Sequence, residues 1–506
     1  MSDFLSSLLP RYTFSSPSIF LGKAKYQGNV IPELEVRVPL KTMNRHGLIA
    51  WATGTGKTKT LQLLCEQLSL AWVPSVVMDI KGDFSGISQA GDSGNPKIID
   101  RYKQLWMNFN AEAFPSEFFV LDTSVGVKLK TTLYEFWPIL LSKILGLSDV
   151  QASIVTVLFH YADQKQLPII DLADFKTLLQ RASSTGKNEI ETEFGKMSSV
   201  SLSTVLRQVI ALESQWANSF FGQPSFEIFD WMKTSSDARG VVNVIRLMSM
   251  QDKPLLFSTF MLSVLAELFE VLPEVGDIDK PKLVMIIDEA HLIFKDATKE
   301  LLSQIETTIK LIRSKGIGIF FCTQLPDDIP DAVLSQLGLK IQHALRWFTA
   351  KDHEAIKKAV ENYPITEFYN LDELVTSLGI GETIITCLDE KGIPTPVLHS
   401  FMATPSSRMD VISDTELQTI VNQSLLSTKY NRIIDDATAH EILQEQIDKK
   451  ILESVKENDN NKEKGIFEKM LQSRFAHSIG RQVWNWIIRG LLGKIWLKID
   501  WRTRFF

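Results

Sequence analysis

The sequence predicts an α/β fold with a largely parallel sheet, an inserted helical region and a helical C-terminal tail. Three observations carry this expectation. Short β-branched runs alternate with helical patterns in two separate blocks, the pattern of a parallel sheet flanked by helices. A glycine-rich loop stands between the first of these runs and a helix, "GLIAWATGTGKTKTLQLL". Far downstream, in "KLVMIIDEAH", an acidic pair directly follows a run of five apolar residues.

Taken in order, residues 1–40 form an N-terminal segment, and residues 41–130 the first part of the core. There "HGLIAW", "SVVMDI" and "EFFVLD" read as strands, and the helix after the glycine loop carries Leu61, Leu64, Cys65 and Leu68 on one face. Over residues 131–238 the pattern is helical, and we read an insertion within one sheet domain. Residues 239–405 resume the core with "GVVNVI", "KLVMIID", "GIGIFFCTQ" and "KIQHAL" as strands, then "GETIITCLDEKGIPTPVLHSFMA" as a hairpin turning at Asp389 to Gly392. Residues 406–506 hold polar helices, a charged linker "KENDNNKEKG" and an aromatic, basic tail.

A chain of 506 residues predicts two to four folding units. Its formal charge of -6 gives no global pull toward nucleic acid or an anionic membrane, so such a contact must rest on a local patch. Cys65, Cys322 and Cys387 lie in apolar surroundings without metal-type spacing and read as buried thiols in a reducing compartment. The N-terminus lacks the pattern of a secretory signal, and no segment has the apolar length of a spanning helix. A cytoplasmic protein is the expectation.

Thr53, Gly54, Thr55, Gly56, Lys57, Thr58 and Lys59 form the candidate phosphate loop. Glycines let backbone N–H groups close around phosphate oxygens, and the helix N-terminus adds partial positive charge. Lys57 reaches the terminal phosphates and the Thr58 hydroxyl ligates Mg²⁺. The alternative is a glycine-rich turn with a surface lysine. Trp51 stands where the usual pattern has its first glycine. The loop tolerates it if the Trp51 backbone is β-like and its ring finds room, and fails if the position needs positive φ. Strain, or a ring crowding the attacking water, would reduce hydrolysis more than binding.

Asp288 and Glu289 sit where a buried parallel strand ends, so Asp288 can face Thr58 across Mg²⁺ while Glu289 polarises water. A solvated helix start is the alternative. Gln324, ending "FFCTQ", suits a γ-phosphate sensor or a water-orienting group, against mere solvation of a strand end. Arg313 and Lys315 end a helix, where cations offset its dipole; Arg313 is also a candidate arginine finger for a neighbouring subunit. Asp79, Lys81 and Asp83 in "MDIKGDFSG" either support the Mg²⁺ site or cap the next segment. His46 and His291 flank the two motifs without metal partners and read as packing or supporting histidines.

The strings "NRHGLIAWATGTGKTKTLQ", "DIKGDFSG", "KPKLVMIIDEAHLIF", "LIRSKGIGIFFCTQLPDDIPDAVLSQLG" and "IQHALRWF", in this order, resemble the YjgR-type, HerA-like bacterial P-loop ATPases from about Pro17 to Arg408. The resemblance implies a RecA-like P-loop NTPase core of the HerA/FtsK class, binding ATP and Mg²⁺ at the interfaces of a homo-oligomeric, typically hexameric ring. By position, Lys57 and Thr58 match the Walker A lysine and hydroxyl, Asp288 and Glu289 the Walker B pair, Gln324 the sensor glutamine and Arg313 the trans-acting arginine. Relatives in the wider class move double-stranded DNA through the ring.

The chain departs from the family at Trp51, at Leu325 in place of an asparagine, and at Leu339 and Lys340 in place of "NR"; Lys340 keeps the charge without the planar grip of arginine. Arg346 is a second candidate interface cation. In the tail, Trp484, Trp486, Ile488, Trp496 and Trp501 alternate with basic residues, which suits packing on a core or, alternatively, peripheral contact with an anionic membrane. Three readings follow: a ring ATPase acting as a DNA translocase, a nucleotide-controlled switch or scaffold binding an unnamed protein, and a membrane-surface ATPase.

Overall fold

The computed structural model describes residues 2–445 apart from 215–218, 295–298, 347–349, 433 and 435–437. The charged linker and the aromatic tail lie outside these residues. The chain divides into two compact units, Met1–Thr156 with Met197–Ile433, and Val157–Lys196 with Ile434–Phe506.

The first unit holds one twelve-stranded sheet. Its strands are β1 (Ser18–Tyr26), β2 (Asn29–Pro39), β3 (Gly47–Ala50), β4 (Ser75–Asp79), β5 (Ser116–Val120), β6 (Val127–Lys128), β7 (Val242–Arg246), β8 (Leu283–Ile287), β9 (Ile317–Thr323), β10 (Leu339–His343), β11 (Glu382–Thr386) and β12 (Leu398–Met402). Their spatial order is β2-β1-β12-β11-β10-β3-β9-β8-β4-β7-β5-β6. From β10 through β3, β9, β8, β4, β7 and β5 to β6, every neighbouring pair is parallel. Strands β11, β12, β1 and β2 extend the other side with antiparallel pairs.

The fold class expected from the sequence is therefore the one observed, and burial explains why it was readable. Every residue of β3, β4, β8 and β9 is buried. A strand covered on both faces needs an unbroken apolar run, which is what these segments contain. The first forty residues contribute more than a sequence reading gives them: helix α1 (Ser2–Tyr12) and the β1–β2 pair. Irregularities in that pair between Phe20 and Gly22 and between Lys23 and Lys25 interrupt the period-two alternation by which a strand is recognised.

Helix α2 (Lys57–Leu70) buries Leu61, Leu64, Cys65 and Leu68, spaced to share one face, against the sheet. Each leucine contributes about 1.5–3 kcal/mol by leaving water, so the helix start is fixed with respect to the strand ends. Helix α3 (Pro96–Gln104) follows, capped by the Asn95 side chain. Helices α4 (Pro138–Ile144), α5 (Asp149–Gln164), α6 (Leu172–Ser183), α7 (Lys187–Phe194) and α8 (Ser199–Glu213) form the helical insertion between β6 and β7. Within the second unit, the Asp174 carboxylate accepts from Ile170 N at 2.8 Å and His440 N at 2.7 Å, joining its two chain segments. All three cysteines are free and buried. Among the described residues, no helix is long and apolar enough to cross a membrane.

Candidate nucleotide site

Because β3, β9, β8 and β4 are parallel neighbours, the loops leaving their C-terminal ends share one edge of the sheet. The loop after β3 leads directly into α2, with Gly56 as its N-cap at φ 105° and Gly54 at φ 80°. Gly56 has no side chain with which to cap, and the first turn of a helix leaves N–H groups without intrahelical acceptors, so these donors are available to an anion. A Cβ on Gly56 would also lie 3.3 Å from Gly381 N. The loop is braced on several sides: Ala52 N donates to Ala344 O at 3.0 Å, Thr55 Oγ1 to Ala52 O at 2.7 Å, and Gly381 N to Thr55 O at 3.0 Å.

Trp51 lies outside the positive-φ residues, and its N–H donates to Thr323 O at 3.2 Å, prolonging the β3–β9 pairing. The backbone condition for tolerating it is met. The indole is 2% exposed and turned into the core, where its ring centroid lies 4.3 Å from Lys57 Nζ.

Lys57 Nζ donates to both Asp288 oxygens, at 2.7 and 2.8 Å, and stands 4.0 Å from Glu289 Oε1. Lys81 Nζ is 2.6 Å from Glu289 Oε1, and His291 Nδ1 is 3.5 Å from Glu289 Oε2. Thr58 Oγ1 donates to Asp83 Oδ2 at 2.8 Å. Asp79 accepts from Gly82 N at 2.7 Å and Phe84 N at 3.1 Å. The structure thus separates three residues that the sequence leaves together: Asp79 shapes the β4 loop, Lys81 meets Glu289, and Asp83 meets Thr58. Glu289 holds φ 49°, a left-handed conformation uncommon for a non-glycine residue.

Burial raises the Asp288 carboxyl above the ordinary range, and Lys57 opposes the rise. Burial, with the charge of Asp83 beside it, pushes Asp79 up to about 6. Burial works against the charge on Lys81, but Glu289 and the other carboxylates outweigh it and raise the ammonium. Asp79, Asp83, Asp288 and Glu289 against Lys57 and Lys81 leave an excess of acid, and Thr58, Asp83 and Asp288 offer hard oxygen donors. This set fits Mg²⁺. Among the described residues no group of three or more His, Cys, Asp or Glu is arranged to hold a metal.

Gln324 follows β9 directly and is exposed, between the β3 loop and the acidic pair. Thr53 is exposed on the loop, whereas the Lys59 side chain turns away to donate to Met409 O. Arg313 precedes β9, at the opposite end of that strand from Gln324, and is exposed. A seven-residue strand spans roughly 20 Å, so Arg313 does not share its own chain's loop edge. Lys340 donates to Asn362 O at 2.9 Å and Arg346 to Thr376 O at 2.8 Å.

His46 is a packed histidine: its Nε2 lies 2.9 Å from Ile309 O, its Nδ1 accepts from Ile319 N at 3.1 Å, and burial pushes it down to about 4. Sequence reasoning passed over two neighbours of the loop. His343 ends β10 buried, its Cε1 3.9 Å from where a Gly56 Cβ would stand, and Gly381 sits on Thr55. Neither carries a sequence signal, because each reaches the loop only through strand order.

A glycine cradle at a helix start, a lysine from that helix and an acidic pair at the end of a parallel strand two places along the sheet define a P-loop NTPase. The chain belongs to the family of helicase HerA-like C-terminal proteins, whose model matches residues 25–483. The plasmid coupling protein TrwB in complex with the non-hydrolysable ATP analogue ADPNP is similar at 13% identity and TM-score 0.51, over 79% of this chain and 99% of that one. The unbound bacterial conjugative coupling protein TrwBΔN70 is similar at 12% identity and TM-score 0.50, over 78% of this chain and 97% of that one. VirB4 of Thermoanaerobacter pseudethanolicus is 14% identical over 80% of this chain and 99% of its own, at TM-score 0.48. The TrwB likeness shows the fold. No curated protein matches the sequence.

Proposed function

We propose that this chain is an ATP-binding and ATP-hydrolysing motor of the HerA-like class, working as a homo-oligomeric, hexameric ring in the cytoplasm and acting on duplex DNA. The observation that carries the reading is the meeting of Lys57 with Asp288 at 2.7 Å, which joins the β3 loop to the end of β8. Three buried, free thiols suit a reducing compartment. The structural likeness to a plasmid coupling protein that binds an ATP analogue supports the nucleotide and, through its named role, the DNA.

The N–H groups of Gly54 to Lys59 cradle the phosphates, and Lys57 leaves Asp288 to meet the terminal ones. Thr58 and Asp288 would hold Mg²⁺, with Asp83 beside them; when bound, the ion would supply positive charge against the charge developing on the transferred phosphoryl group. Glu289 polarises the attacking water, and Gln324 orients it or senses the γ-phosphate. Arg313, remote from its own loop, serves the site of the next subunit, with Arg346 as a second interface cation. An intact lysine and acidic pair favour turnover over a purely nucleotide-controlled scaffold. Membrane contact by residues 481–506 concerns a segment outside the described residues.

Steady-state ATPase assays with and without duplex DNA test this reading. A DNA motor shows stimulated turnover, and stimulation fades as salt rises because phosphate contacts release counterions. Turnover indifferent to DNA at low salt favours the scaffold.

A further inference from the structure

We propose that Trp51 is a positioning residue for Lys57: its indole holds the ammonium in a withdrawn place on Asp288, from which phosphate must draw it. This inference rests on the nucleotide-site reading above. Lys57 Nζ lies 4.3 Å from the Trp51 ring centroid, inside the roughly 6 Å reach of a cation–π contact, for which tryptophan gives the strongest face. The same ammonium donates to Asp288 at 2.7 and 2.8 Å. Ring and lysine are 2% and 6% exposed, so the contact is made away from water, where it is strongest.

The three N–H bonds of Lys57 are thereby shared between a carboxylate and an aromatic face. A glycine at this position offers no such face. The indole does not crowd the loop mouth, because it belongs to the buried cluster that includes Ile49, Leu64 and Cys322. Its effect on the site therefore runs through Lys57. Binding a terminal phosphate breaks the lysine's contact with ring and carboxylate together, so the ring weakens nucleotide affinity in exchange for keeping the lysine ordered.

The test uses the full chain and two variants, Trp51→Leu and Trp51→Phe, with two readouts. ATP affinity in the presence of Mg²⁺, by titration calorimetry, is expected to tighten about tenfold in Trp51→Leu and by a smaller factor in Trp51→Phe, whose face is weaker. In nucleotide-free protein, labelling of Lys57 by an amine-reactive acetylating reagent, read by mass spectrometry against exposed Lys41, is expected to quicken in the same order. Unchanged or weaker ATP affinity together with unchanged Lys57 labelling in both variants overturns the proposal. If Trp51→Leu does not fold, Trp51→Phe decides by the same two readouts. A parent protein that binds no ATP overturns the nucleotide reading instead, and the labelling order still reports separately whether the ring holds Lys57.

Discussion

Lys81 Nζ stands 2.6 Å from Glu289 Oε1, so each of the two carboxylates that follow β8 is held by a lysine from a different loop, Asp288 by Lys57 and Glu289 by Lys81. Glu289 is nearly buried and sits in a left-handed backbone conformation, so its aim depends on its side-chain partners. Lys81→Met is expected to lower ATP turnover about tenfold, equivalent to roughly 1.4 kcal/mol of barrier, with little change in KM. A loss confined to KM would place Lys81 on the nucleotide instead.

The Thr58–Asp83 hydrogen bond joins the loop after β3 to the loop after β4, on the side where Mg²⁺ would bind. Thr58→Ala is expected to raise the Mg²⁺ concentration for half-maximal ATPase activity about tenfold, as about 1.4 kcal/mol of ligand binding is lost. Asp83→Asn keeps an acceptor for Thr58 but loses a charge, and a smaller shift in the same direction is expected. Titrating activity with Mg²⁺ checks both.

The parts of this site legible in sequence were those whose chemistry and strand context lie close together in the chain. Lys57, Thr58, Asp288 and Glu289 each stand at the boundary between an apolar run and a polar turn, a boundary the sequence displays. The pairings were not legible. Lys81 and Asp83 are two residues apart in one loop yet serve different partners, and only the placement of β4 beside β8 decides which. Trp51 read as a departure from a motif, with its tolerance left open, because sequence gives the residue and not the direction of its ring. The first forty residues were left without strands because irregular pairing erased their alternation.

Glu66 on α2 accepts from Ser406 N at 2.8 Å and Ser407 N at 2.9 Å, tying the segment after β12 to the helix that follows the phosphate loop. Burial raises its carboxyl to about 7 from an ordinary 4.5. Between those values the folded state keeps a proton that the unfolded chain has lost, so stability falls as pH rises through the window. Glu66→Gln removes this dependence. Denaturant unfolding at pH 5 and pH 8 should show the variant gaining on the parent by on the order of 3 kcal/mol at the higher pH. An equal difference at both values would contradict it.

Arg313 stands before β9 and Gln324 after it, so Arg313 is remote from its own chain's phosphate loop, and under the proposed function it serves a neighbouring copy. Arg313→Ala and Lys57→Ala chains, each inactive alone, are expected to recover part of the ATPase activity when mixed, because some intact Lys57 sites then face an intact Arg313. Absence of recovery across mixing ratios, in assemblies shown to exchange subunits, would leave Arg313 with its helix-end role alone.

Whether Lys57 binds phosphate and Glu289 acts on water is decided by ATP affinity and phosphate release measured on the same preparations of the parent, Lys57→Ala and Glu289→Gln. The parent is expected to bind and hydrolyse ATP, Lys57→Ala to lose binding, and Glu289→Gln to bind ATP as the parent does while turning over at least about a hundredfold more slowly, a barrier rise of about 2.7 kcal/mol. Glu289→Gln turning over at the parental rate, or Lys57→Ala binding ATP with parental affinity, would contradict these roles.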